Sequence, residues 1–140
     1  MFSLYSNERR RNQYMTNINL NLLKNAIGAS SLRQDAINSN IANINTDNYK
    51  TNQVAFETLL SKSVHGVTIN KTQEYHLGSS DIADIKPVMS KRTHTSVKEN
   101  GNNVDLDMEM VNLAENSLYY QALISQLNGQ YSRLKTIIGG

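Results

Sequence analysis

The sequence predicts a mainly α-helical protein: two long terminal helices pair as an elongated coiled-coil-like hairpin, and an irregular middle segment holds a few short strands at most. Two observations carry this prediction. An apolar stripe near each end of the 140-residue chain advances by alternating steps of three and four residues, which keeps one side of a long helix against a partner. No comparable stripe occupies the middle, which contains the only proline.

The first stripe predicts a helix over residues 19–45, about 40 Å long at 1.5 Å per residue. The polar segment before it predicts a flexible arm over residues 1–18, leaving a single elongated domain over 19–140. The helix should stop in the run 45–48, because short polar side chains compete for backbone hydrogen bonds and Asn tolerates left-handed geometry. The stripe consists of Leu20, Leu23, Ile27, Ser30, Gln34, Ile37, Ile41 and Ile44.

Residues 50–103 form the middle segment. An apolar group within it predicts a short helical or extended flap over the first helix: Val54, Phe56, Leu59 and Leu60. The β-branched run 65–69 is typical of a short strand. Further along, Asn100-Gly101 is a strong turn signal that closes a polar stretch.

The second stripe predicts a helix over residues 104–138, about 50 Å long. Asn102, Asn103 or Asp105 can cap it. The stripe consists of Leu106, Met110, Leu113, Ser117, Tyr120, Ile124, Leu127, Tyr131, Leu134 and Ile138. A flanking apolar face widens it beyond what one partner helix covers: Val111, Ala114, Leu118, Ala122 and Leu123. Either other subunits or the middle segment should cover the excess.

The apolar members of both stripes define the expected helix–helix interface. It comprises Leu23, Ile27, Ile37, Ile41, Ile44, Leu106, Met110, Leu113, Tyr120, Ile124, Leu127, Tyr131 and Leu134. In addition, Asn40 and Asn43 are expected either to hydrogen-bond a partner helix or the turn, or to be solvated on an exposed face.

Composition limits the function classes. The net charge of +2 is too small to imply a nucleic-acid or membrane surface, although the tract Glu8-Arg9-Arg10-Arg11 is locally basic. There is no cysteine, and therefore no disulfide or thiolate chemistry. No run resembles a secretory leader or a membrane span.

No constellation of residues supports catalysis, a metal or a cofactor. The alternating acids of 105–109 lack the internal glycine and the register of a calcium loop, and suit the positive end of a helix instead. His65, His76 and His94 are far apart, with no second ligand at helical spacing. We therefore expect a protein that is not an enzyme.

Two separate motifs stand out. The first is Ser39-Asn40-Ile41-Ala42-Asn43-Ile44-Asn45-Thr46 with Tyr49-Lys50, and the second is Asn100-Gly101-Asn102-Asn103-Val104-Asp105-Leu106-Asp107. They resemble motifs of the bacterial flagellar basal-body rod protein family, most closely of its short proximal-rod subunits. The family usually has Pro-Gly before the tyrosine, where this chain has Asp47-Asn48. The motif positions taken as an assembly site are Asn40, Ile41, Ala42, Asn43, Asn45, Thr46, Tyr49, Asn102, Asn103, Val104 and Asp105.

The resemblance implies a structural subunit of the rod, the drive shaft that crosses the cell envelope and transmits torque. It implies export from the cytoplasm through the flagellar type III apparatus without a cleaved signal peptide. The partners would be copies of itself, other rod proteins, and a basal-body ring or export-gate adaptor. Two other functions fit the sequence: a soluble coiled-coil adaptor or export chaperone that binds a partner helix, and a nucleic-acid module that uses Arg9–Arg11.

Overall fold

The fold is mainly helical, as predicted. The structure is a computed structural model that describes residues 2–64, 85–93 and 99–139, with side chains for 18–63, 85–93 and 99–139. The elements are α1 Phe2–Ala42, β1 Asn52–Ala55, α2 Glu57–Val64, β2 Val88–Lys91 and α3 Leu106–Gly139. The strand expected over residues 65–69, and all three histidines, lie outside the described residues.

Helix α1 is longer than the stripe predicts. It begins at Phe2 and ends at Ala42, so the backbone of residues 2–18 is helical where we expected an arm. Its 41 residues correspond to about 60 Å, and the 34 residues of α3 to about 50 Å. None of the described helices carries an apolar run long enough to cross a bilayer.

The two long helices pack antiparallel as the predicted hairpin. Asn40 of α1 faces Glu109 near the start of α3, and Ser30 hydrogen-bonds Asn116 further along. Still further from the turn, Ala26 lies in the cluster that Leu123 covers. Positions therefore rise along α1 as they fall along α3, and the free ends of both helices lie at the same end of the molecule.

The segment after α1 forms the predicted flap. β1 and β2 pair antiparallel, with Val54 opposite Met89, which confirms the expectation of short strands in the middle. Phe56, immediately after β1, is buried against α1. The core cluster consists of Ala26, Ala29, Phe56 and Ile85, and Leu22, Leu59, Leu60 and Leu123 pack against it.

The seam between α1 and α3 is rotated relative to the predicted stripes. On α1 the buried residues are Ala26, Ala29, Ser30, Ala36, Ile37 and Asn40, and on α3 they are Glu109 and Asn116. Of the predicted interface, Ile37 is buried, and the half-buried members are Leu23, Ile27, Ile41, Ile44, Leu113, Ile124, Leu127 and Leu134.

Four predicted interface residues are exposed in the single chain: Leu106, Met110, Tyr120 and Tyr131. Within one chain the prediction is wrong for these residues, because the polar side chains of Glu109 and Asn116 occupy the seam in their place. Their contact with other subunits stays a prediction.

The turn that follows α1 has the predicted geometry. Asn48 adopts the left-handed conformation with φ 58°, as expected for the residue that stands where the family has glycine. It packs against Gly101, whose φ is also positive, at 76°. The Asn48 backbone N–H donates to the carbonyl of Asn100, which ties the two segments together.

Replacing Gly101 with alanine should destabilise the fold by about 1–3 kcal/mol. A Cβ at this position would lie 2.6 Å from Oδ1 of Asn48, and the positive φ adds strain. Urea unfolding followed by far-ultraviolet circular dichroism measures the loss. Gly28→Ala is the matched control: its Cβ would meet nothing within 4 Å, so that helix should gain up to about 1 kcal/mol. Equal stability of the two variants would contradict the proposed close approach at Gly101.

Candidate functional site

The two sequence motifs meet at a junction where α1 ends and α3 begins. We call residues 39–52 and 100–105 together the asparagine junction, because Asn side chains make most of its hydrogen bonds. The geometry explains why amides suit this place: after α1 ends, the chain lacks helical partners for its backbone groups, and an amide both donates and accepts.

Asn40 fastens the end of α1 to β1. Its Nδ2 donates to the carbonyl of Asn52 at 3.0 Å, and its Oδ1 accepts the N–H of Asn52 at 2.8 Å. The buried Asn40 amide therefore pairs with Asn52 as a neighbouring strand would. The Tyr49 hydroxyl also donates to Oδ1 of Asn40, and contacts Oγ of Ser39 at 3.0 Å. The expectation that Asn40 bonds the turn is confirmed.

Asn102 satisfies the carbonyl groups exposed by the end of α1. Its Nδ2 lies 2.9 Å from the carbonyl oxygen of Asn43, 3.1 Å from that of Ile44 and 2.8 Å from that of Thr46. Its Oδ1 accepts the N–H of Val104 at 2.7 Å. One fully buried side chain from the second motif thus caps the helix that carries the first.

Asn103 joins the sheet to the start of α3. Its Oδ1 accepts the N–H of Thr51 at 2.7 Å, and its Nδ2 donates to the carbonyl of Arg92 at 2.8 Å. Lys50 adds a bond from its Nζ to the carbonyl of Gly101. The chain is therefore held on both sides of the turn by residues more than fifty positions away.

The remaining motif positions bond within the turn, are buried, or are exposed to solvent. Asn43 donates to the carbonyl of Ser39 and accepts from Oγ1 of Thr46, so it stabilises the turn itself. Val104 is fully buried. Ile41 is half-buried, whereas Ala42 and Asn45 are exposed.

Asp105 is the cap of α3 among the three candidates. Its Oδ1 accepts the N–H groups of Asp107 at 3.0 Å and Met108 at 3.3 Å. These are donors of the first helical turn that have no partner within the helix.

A second polar cluster lies halfway along the hairpin. Oγ of Ser30 donates to Oδ1 of Asn116 at 2.9 Å, and Nδ2 of Asn116 donates to the carbonyl of Ser30 and to Oε1 of Gln34. Ser30 and Gln34 belong to the first predicted stripe and lie on the seam. Asn116 was not predicted there, because it lies outside the second stripe and a polar residue outside a stripe is expected to face solvent.

Glu109 is the one charged side chain buried in the seam among the described residues. It is 8% exposed, receives a hydrogen bond from the side chain of Asn40, and leaves Oε2 without a partner in the described part of the chain. Burial raises the pKa of the Glu109 carboxyl above its ordinary value, although Asn40 and the charge of Arg92 act in the opposite direction.

A groove opens beside Glu109, between α1, β1 and the first half of α3. Its volume is about 840 Å³. Its lining combines apolar surface from Ile37 and Tyr119 with charged side chains, and at one edge Arg33 forms an ion pair with Glu57 at 2.6 Å. No group of three metal-binding side chains occurs in the described ranges.

Helix α3 presents most of its apolar side chains to solvent. Its buried residues are both polar, whereas its exposed large apolar residues are Leu106, Met108, Met110, Val111, Leu118, Tyr119, Tyr120, Tyr131, Ile137 and Ile138. Four residues point away from α1 and form what we call the outer face: Val111, Ala114, Leu118 and Ala122. Leu123, the fifth residue of the predicted flanking face, is half-buried over the core cluster.

Replacing Asn102 with aspartate should loosen the junction by about 2–3 kcal/mol, since the isosteric carboxylate keeps the acceptor for Val104 but aims negative charge at three carbonyl groups. Amide exchange at Asn48 and Thr51, both bonded across the junction, measures local opening. Exposed Asn45→Asp is the control and should change stability by less than about 0.5 kcal/mol. Unchanged exchange in the Asn102 variant would show that its three bonds do not hold the turn.

Comparison with known proteins identifies the family. Residues 20–50 match the model of the family described as flagella basal body rod protein. The chain is 40% identical over 118 residues to the flagellar basal body rod protein FlgB of Bacillus subtilis, which covers 84% of this chain and 91% of that protein. It is 32% identical over 116 residues to FlgB of Borreliella burgdorferi, covering 77% and 85%.

A more distant relative agrees. FlgB of Escherichia coli is 28% identical over 128 residues, covering 85% of this chain and 91% of that protein. The matched region 20–50 contains residues 39–50 of the asparagine junction. The resemblance seen in the two motifs is thereby confirmed: the chain belongs to the FlgB family of flagellar basal body rod proteins, as a structural subunit of the rod.

Proposed function

We propose that this subunit joins the rod by burying the exposed apolar surface of α3 against neighbouring rod subunits. The observation that supports this most directly is the composition of the helix: its two buried residues are polar, while ten large apolar side chains are exposed. Exposed apolar surface of this extent is typical of protein–protein contact sites. The outer face is the part of it that points away from α1.

Assembly would also stabilise the helices. The core cluster lies around Ala26, Ala29 and Phe56, whereas Tyr131, Ile137 and Ile138 are exposed toward the end of α3. A long helix in water gains most of its stability from tertiary packing. We therefore infer that the end of α3 becomes fully ordered when neighbours cover it.

The finer parts of the function rest on the family. We infer a structural rather than catalytic role, a position along the part of the rod that crosses the periplasm or cell wall, and transport by the flagellar type III export apparatus. A ring-side or export-gate adaptor is the expected neighbour at the cell end of the rod. The absence of cysteine is compatible with crossing compartments of different redox state.

Leu118→Glu should block incorporation into rods. Leu118 is 68% exposed at the centre of the outer face, so the monomer should keep its helix content, whereas a charge buried between subunits should weaken association by about tenfold or more. Motility of a deletion strain that carries the variant, with immunoblotting of isolated basal bodies, measures the effect. Gln126→Glu introduces the same charge at an exposed polar position of α3 and should leave motility normal. Normal motility with Leu118→Glu would contradict burial of the outer face.

Helix content should rise with protein concentration. At low concentration the free ends lack cover, so circular dichroism should show less helix than the described elements contain; light scattering on the same series should report association over the same range. A monomer that is fully helical and unfolds cooperatively at the lowest concentration would contradict coupled folding.

A further inference from the structure

Acidic and basic residues lie at opposite ends of α3. Its acidic residues, Asp107, Glu109 and Glu115, all lie in the first third, and its only basic residues, Arg133 and Lys135, lie in the last two turns. Beside the basic pair, Ile137 and Ile138 are 77% and 83% exposed. We call residues 133–138 the basic end. It combines positive charge with uncovered aliphatic surface.

The groove lies at the opposite, acidic end of the hairpin. Four acidic side chains line it together with two arginines: Glu57, Asp105, Glu109, Glu115, Arg33 and Arg92. Arg33 is already paired with Glu57, and so the rest of the lining is net negative. Ala36, Ile37 and Val54 add apolar surface beside these charges.

Glu109 adds to the negative charge of the groove. More than nine-tenths of the residue is buried, and its Oε2 has no hydrogen-bond partner among the described residues. Nearby positive charge stabilises a carboxylate that has lost water without gaining a donor. Arg92 supplies part of that charge, and Lys or Arg of a partner seated on the lining would add to it.

A copy cannot fill its own groove. α3 is one continuous helix from Leu106 to Gly139, so Glu109 and Lys135 are about 40 Å apart along it at 1.5 Å per residue. Any basic end that reaches the groove must therefore come from another molecule.

We propose that the groove receives the basic end of α3 from a second copy of this chain. Arg133 would lie against the acids, Ile137, one turn further along the same side of the helix, would lie over the apolar part of the lining, and Lys135 would add positive charge from the other side of the helix end. This inference rests on the proposed function and adds a defined contact to it. Because the two surfaces differ, the contact is head-to-tail and repeats from copy to copy. It is separate from the outer face, which points away from α1.

A charge-exchange experiment tests the contact. The end variant carries Arg133→Glu and Lys135→Glu, and the groove variant carries Asn112→Lys and Glu115→Lys, on side chains that line the groove. Each variant alone should need at least about tenfold more protein to associate in a light-scattering series, because like charges then meet. An equimolar mixture should associate like the wild type, since the reversed end of one variant fits the reversed groove of the other.

The controls separate this contact from assembly in general. Lys24→Glu reverses an exposed charge outside both surfaces and should associate normally, and circular dichroism should show wild-type helix content for every variant. Single variants that associate like the wild type would overturn the groove contact while leaving the proposed function intact. Weakened variants without rescue in the mixture would overturn it too, because the two surfaces then do not meet. A wild-type chain that stays monomeric throughout counts against both proposals.

Discussion

Where the chain leaves α1 and turns toward β1, its backbone groups have neither helical nor strand partners, and amide side chains supply the missing bonds. Asn102 binds three carbonyl groups of the turn from more than fifty residues away, and Asn40 pairs with Asn52 as a strand would. Because the Asn102 donor comes from a distant segment, the carbonyl groups of the turn are fully bonded only when both motifs are in place. The junction therefore fixes the relative position of α1 and α3, and the rest of the hairpin follows from it.

Beyond the junction, small and polar side chains form the seam between α1 and α3. Ala29 and Ala36 bring the helix backbones close, and Ser30 and Asn116 exchange two hydrogen bonds. Sliding one helix by a turn would leave these buried groups unsatisfied, at roughly 1–3 kcal/mol for each group. The seam therefore defines one register.

The sequence predicted the features that depend on neighbouring residues, but not those that depend on contacts between distant segments. The left-handed Asn48 and the flap around Phe56 were predicted, and Asp105 is one of the three residues that the sequence offered as the cap of α3. The sequence did not predict which side of α3 packs against α1, because apolar residues lie around much of that helix and more than one side of it carries an apolar stripe. Glu109 and Asn116, which decide the phase, are polar residues that spacing assigns to solvent.

Residue spacing also failed to predict where α1 begins and which groups the side chains of the junction bind. Nothing in the apolar spacing before residue 19 indicates a helix, yet the backbone is helical from Phe2. The motif drew attention to Asn102 and Asn103, but their bonding partners depend on how the chain folds back. The spacing of residues within one segment does not predict which distant carbonyl group a side chain will bind.

Polar and apolar residues exchange their usual places along α3. Polar side chains are buried in the seam of α3 while Val111, Leu118 and Ile138 remain in solvent, the reverse of a self-sufficient globular domain. The buried polar side chains form hydrogen bonds that define the shape of the chain. The exposed apolar side chains remain available for contact between chains. For a protein whose family forms a rod, this division is useful, because each copy can present the same geometry at the junction and the seam before neighbours order its helix end and supply the cohesion.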